Sequence, residues 1–178
     1  MQARGPLMVE HRLIEQVIQS MRDHLDLVVA TGRFDARAIE ECVDFIHVYA
    51  DRTHHGKEEG ILFRRLSHRP LSLQHQVVLE ELLAEHALAR RVTGELAEAN
   101  RLHRDGDPST LAAIRGSLET LVELYPRHIE KEDKLFFPAL RAYLTEDEEE
   151  VMLAEFWEFD RRMIHEKYRA VAHGLAAR

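Results

Sequence analysis

Four segments of this chain carry inward positions at helical spacing, and each of them has a histidine among those positions. In the first, Leu7, His11, Ile14, Ile18, Met21 and Leu25 follow one another at alternating steps of four and three. Leu79, Leu82, His86, Ala89, Thr93 and Leu96 continue the theme, as do Ile114, Leu118, Leu121, Tyr125, His128, Glu132, Leu135 and Ala139. The second segment is less regular, but Val43, His47, Ala50, His54, Glu58 and Ile61 share one helical face. A stripe of this period is the buried face of a helix in a bundle, so the four stripes are expected to close on one another.

The breaks between the stripes are few and each has a physical reason. Thr31-Gly32 supplies a residue that accepts the left-handed cap conformation, and Asp35 can cap the next helix. Pro70 stops a helix and Ser72 starts another, Asp107-Pro108 places a cap before a first-turn proline, and Thr145 with Glu148 has the form of a capping box. These marks predict helices over 7–31, 36–67, 73–103, 108–143 and 146–175. Short connections make neighbours antiparallel. The expected fold is all-α: an up-down-up-down four-helix bundle over 7–143, with an additional C-terminal helix, 146–175, packed on its side or end. No internal repeat of fixed period is evident.

Composition narrows the function classes. Acidic residues outnumber basic ones 32 to 24, giving a net charge of −8, which argues against nucleic acid and anionic lipid as partners. No run approaches the roughly 18 apolar residues of a membrane span. The single cysteine, Cys42, cannot form an internal disulfide, and the first twelve residues lack the apolar core of a signal peptide, so a cytoplasmic location is expected. Twelve histidines are conspicuous in a chain of 178 residues, and their placement decides the reading.

A spacing of four residues brings two side chains onto one face, about 6 Å apart along the axis. His54 with Glu58, and His128 with Glu132, therefore form two chelating arms on core stripes. Counted from the turns, His11, His54, His86 and His128 lie at one depth to within about 4.5 Å. Burying two facing carboxylates costs several kcal/mol unless a cation lies between them. The pattern predicts a metal site, and imidazole with carboxylate suits iron, manganese or zinc.

The segments His54-His55-Gly56-Lys57-Glu58-Glu59-Gly60-Ile61-Leu62-Phe63 and His128-Ile129-Glu130-Lys131-Glu132-Asp133-Lys134-Leu135-Phe136-Phe137-Pro138 resemble the paired ligand blocks of the hemerythrin-like (HHE cation-binding) family. Glu10-His11 and Glu85-His86 resemble its first and third ligand segments. The resemblance implies two iron ions in a non-haem centre, with His11, His54, His86 and His128 as terminal ligands and Glu58 and Glu132 as bridges. Zinc or manganese are substitutes the same donors accept. The Glu-x-x-His pattern of ferritin-like proteins is absent, because Asp51, Leu83 and Tyr125 precede the histidines by three.

Oxygen carriers of that family place a second histidine four residues after the third-helix ligand, where this chain has Arg90. The resemblance therefore implies an open position on one metal, with His165 of the last helix as a candidate substitute. His55 and Glu59, about 100° from the chelating pair, are expected beside the site or at the surface, and Glu15 is a candidate to ligate or orient His11. Tyr125 packs or gates one turn before His128, and His47 is expected to pack in the core. Three function classes follow: a protein that binds or senses dioxygen, peroxide or nitric oxide; a peroxide-degrading or oxidase-type enzyme; and an interaction module reporting iron or oxygen status through Phe156, Trp157 and Phe159. The small redox ligand is the expected partner, and no protein partner is named by the sequence.

Overall fold

The structure, a computed structural model, describes residues 2–176, and among them there are helices and no strands. Helix α1 is Arg4–Thr31, α2 covers 36–66, α3 is Leu73–Arg104, α4 covers 108–142 and α5 is Glu146–Ala176. The caps fall where the sequence places them. Gly32 ends α1 at φ 66° with its amide bonded to the Val28 carbonyl, and the Asp35 carboxylate accepts the amides of Arg37 and Ala38. Ser72 caps α3 through the His75 amide, and Asp107 accepts from Ser109. Thr145 and Glu148 satisfy each other's backbone amides, at 2.9 and 3.3 Å, to open α5.

The first four helices form a ring in which each touches the next and α4 closes back on α1. Two apolar clusters fill it. One gathers Ile14, Met21, Ile46, Leu96, Leu118 and their neighbours toward the α1–α2 and α3–α4 turns, and the other gathers Leu7, Leu62, Leu82, Phe136 and Phe137 toward the opposite end. The polar layer of histidines and glutamates lies between them. Helix α5 runs antiparallel along α2: Glu148, Glu155 and Glu166 pair with Arg69, Arg65 and Arg52 in reverse order. Met152, Leu153 and Phe156 join the second cluster. Phe156 is thus buried and Phe159 half-buried, which corrects the expectation that both face solvent; of the three aromatic residues only Trp157 is exposed.

Three stretches of the bundle are wound as π-helix: Ile46–His55 and Glu58–Phe63 in α2, and Glu132–Phe136 in α4. Their i→i+5 bonds, such as the Gly56 amide to the Asp51 carbonyl, widen the turn so that successive side chains rotate by less than the usual 100°. The buried face therefore drifts away from that of a regular helix. In α4, Leu135 is exposed while Phe136 and Phe137 are buried, and in α2, Ile46 takes the core position and His47 is exposed. Both differ from the regular period.

Removing the Asp35 cap leaves two first-turn amides of α2 without their acceptor. Asp35→Ala is expected to cost about 1 kcal/mol, seen as a fall of roughly 2–4 °C in the calorimetric midpoint.

Candidate metal centre

Each of the four core histidines is held from outside by a carboxylate on a different helix. The Nδ1 of His11 meets Asp133 at 2.8 Å, that of His54 meets Glu10 at 2.8 Å, that of His86 meets Glu59 at 2.7 Å, and that of His128 meets Glu85 at 2.9 Å. These carboxylates have nothing to donate, so each ring places an N–H on Nδ1 and turns Nε2 inward, the nitrogen left to serve a cation. Burial lowers His54 and His55 well below the usual histidine range, and it also lowers His86, which keeps those rings neutral and ready to ligate.

The inward nitrogens converge in pairs: His11 and His54 are 3.0 Å apart at Nε2, and His86 and His128 are 3.2 Å apart. Between the pairs stand Glu58 and Glu132, both fully buried, and each reaches one histidine of either pair. Glu132 Oε2 lies 3.1 Å from His11 and 3.4 Å from His128, and Glu58 lies 3.4 Å from His54 and 3.5 Å from His86. None of the four carboxylate oxygens has a hydrogen-bond donor among the described residues. Converging ring nitrogens around buried carboxylates are an arrangement that a bound cation stabilises, and in its absence protons held on His11 and Glu58 offset only part of the cost.

Two groups of donors result. The ligand atoms of His11, His54, Glu58 and Glu132 all lie within 4.8 Å of one another, and so do those of His55, Glu58, His86 and His128, with Glu58 common to both. The donor set fits two oxygen- and nitrogen-loving divalent ions sharing a carboxylate. His55 enters from the inner side of α2, beside His54. It is 1% exposed and stacks on His86 with ring centroids 3.8 Å apart. Its counterpart 74 residues on, Ile129, is buried in an α-helical stretch and offers no donor.

The remaining sequence candidates are placed as follows. Arg90 does not face the centre; it spans Asp51 and Glu59, each at 2.6 Å, and so braces the carboxylate that holds His86. Glu59 orients His86 and belongs to neither donor group. Glu15 turns outward to Arg12 at 3.0 Å. His165 is exposed on α5 and joins neither group. Tyr125 is buried over His55 at 6.3 Å between ring centroids, and desolvation raises its pKa, so the phenol stays protonated. The orienting residues Glu10, Glu85 and Asp133 were not singled out from the sequence; their signal is adjacency, since each neighbours a ligand in the chain but serves one on another helix.

The two halves of the bundle repeat. His54, Lys57, Glu58 and Glu59 recur 74 residues later as His128, Lys131, Glu132 and Asp133, and Glu10-His11 recurs 75 residues later as Glu85-His86. This corrects the expectation of no fixed-period repeat: the ligand blocks recur at a nearly constant offset although the core residues between them differ.

Residues 5–140 match the family model described as hemerythrin HHE cation binding domain. No curated protein matches the chain significantly. Among the described residues, no helix is long and apolar enough to cross a membrane.

Removing metal should leave a pH-dependent cost. Burial opposes protonation of His11, but Asp133 and Glu132 outweigh it and hold the ring up to about 9, so the folded metal-free chain keeps a proton that the unfolded chain releases above its ordinary 6.5. Burial, together with the neighbouring Glu132, raises Glu58 and adds a second effect of the same sign. The folded state binds more protons, so metal-free stability is expected to fall as pH rises from 7 to 9, by up to about 1.4 kcal/mol per pH unit for each proton. His54 and His55, being depressed, act only below about 6.5. Urea titrations at pH 7, 8 and 9 check this; a flat or rising stability in the metal-free protein contradicts it.

Proposed function

The chain belongs to the hemerythrin HHE cation-binding domain family, and from that premise we propose that it is a non-haem di-iron protein that binds or senses dioxygen, peroxide or nitric oxide. The observation that carries the reading is the pair of buried carboxylates, each reaching one histidine of either converging pair. Such a layout serves two ions bridged by Glu58 and Glu132. His11 and His54 would hold one ion; His86, His128 and His55 would hold the other. What an iron pair supplies when bound is one-electron chemistry toward small oxygen and nitrogen species.

The unequal donor count bears on where such a species enters. The Arg90 substitution alone points to a deficit beside His86, but His55 offers a third imidazole there. The end served by His11 and His54 is left with two imidazoles and is the one with room for an exogenous donor. The chain's own residues do the rest. The four outer carboxylates fix each ring, Asp133 and Glu10 keep the Nδ1 protons on His11 and His54, and Phe137, stacked on His11 with centroids 5.7 Å apart, helps keep bulk water away from that end. Peroxide turnover is the enzymatic form of the same reading. A cytoplasmic setting accords with the lone Cys42.

Anaerobic loading followed by metal analysis tests the proposal. Two irons per chain and an oxo-bridged near-ultraviolet band on exposure to air are expected. His54→Ala and His55→Ala should each reduce the stoichiometry, whereas Arg90→Ala should leave two ions bound. Asp133→Asn or Glu85→Gln should weaken binding by about 10–100-fold, as is usual when a ligand loses its orienting partner. Equal iron content in wild type and His54→Ala, or a single ion in wild type, contradicts the assignment.

A further inference from the structure

Lys57 lies one residue before Glu58 yet belongs to neither donor group, and it is 0% exposed. Its ammonium is held between two carboxylates: Glu10 of α1, and Asp160 of α5 at 2.7 Å. Glu10 is the residue whose other oxygen fixes Nδ1 of His54. A continuous run of charged contacts therefore leads from the C-terminal helix to a candidate metal ligand: an Asp160–Lys57 ion pair, then hydrogen bonds from Lys57 to Glu10 and from His54 to Glu10. Packing reinforces it at the same place. Phe159 lies over Gly56, where an added Cβ would come within 2.8 Å of its ring, so α5 seats directly on the turn that carries His54 and His55.

The other half of the bundle supplies the contrast. Lys131, the counterpart of Lys57, pairs with Glu85 and Glu81 at 2.7 Å each, both on α3, and is partly exposed. Among the described residues, none of α5 pairs with it. The two ends of the centre thus differ in what holds their ligands: one is closed within the four-helix bundle, and the other is anchored through the fifth helix.

Resting on the di-iron reading for the existence of the centre, we infer that docking of α5 and metal binding at the His11–His54 end are coupled, with Lys57 and Asp160 as positioning residues. A cation on Nε2 makes the Nδ1–H of His54 a stronger donor to Glu10, which fixes Lys57 and through it Asp160. Reciprocally, a docked α5 holds Glu10 in place and preorganises His54. Linkage requires the two effects to be equal in free energy. The His86–His128 end lacks the Lys57–Asp160 connection, meeting α5 only through the packing of Phe159 on Gly56 beside His55, and is less affected by loss of that ion pair.

The test uses the full chain, with zinc as the probe metal, chelator-competition titration, and amide hydrogen exchange over residues 150–162. In wild type, zinc saturation is expected to slow exchange in that segment. Asp160→Asn keeps the size of a partly exposed side chain. It is expected to weaken one of two zinc-binding steps by about 3–10-fold, less than loss of a direct orienting partner, and to abolish the zinc effect on α5. Glu81→Gln, at the counterpart position, should leave the exchange response of α5 unchanged. Zinc binding at two sites with no change in α5 exchange in wild type overturns the coupling and leaves the metal reading standing. Failure to bind zinc overturns both. Equal weakening of both steps in Asp160→Asn overturns the assignment to one end.

Discussion

Two carboxylates facing each other in a dry core are the constraint around which this protein is arranged. Glu58 and Glu132 are fully buried, and their oxygens find no donor in the described chain. Left alone they would cost several kcal/mol and force a proton onto one of them. The surrounding residues are deployed as though that cost were cancelled by cations. The histidines present bare nitrogens inward, the outer carboxylates fix them there, and apolar clusters above and below exclude water. Every element of the four-helix bundle contributes to this layer, and the helices are long enough to place it well away from their ends.

Outer carboxylates and inner ligands form a closed circuit across the helices. Glu10 of α1 holds a ligand on α2, Glu59 of α2 one on α3, Glu85 of α3 one on α4, and Asp133 of α4 one on α1. The near-repetition of the two halves explains why the circuit closes, because each half supplies the same two connections. The deviations from that symmetry are where function differentiates the ends. His55 replaces an aliphatic residue on one side, Arg90 braces Glu59, and α5 covers Lys57 but not Lys131.

Much of this was legible in the sequence, and for reasons that can be named. Helix limits followed from capping chemistry, which is local: Gly32, Asp35, Ser72, Asp107 and the Thr145–Glu148 box act within one turn. The histidine–glutamate arms followed from helical spacing, as did the ligand stripes of α1 and α3. What could not be read was any departure from that spacing. The exposure of His47 and Leu135 arises in or beside π-wound stretches, where a step of 100° per residue misassigns the face, whereas the burial of His55 is shared by Ile129 at the counterpart position of a regular helix. The outer carboxylates escaped for a different reason. Each serves a helix other than its own, and no periodicity along one helix reports a partner across the bundle. Glu15, one turn from His11, looked like its orienting group; the actual one is Asp133, far along the chain.

The circuit also sets the order of events in the protein's life. Neither metal position can be completed by a helical hairpin, since the ring of His11 is fixed only by Asp133 and that of His86 only by a residue of the preceding hairpin. A chain still emerging from the ribosome, or a fragment ending before α4, holds one chelating arm, His54 with Glu58, but no fixed pocket. A complete cation pocket therefore requires all four helices to be assembled, and the contact of Asp133 with His11 ties the first helix to the last turns of the fourth.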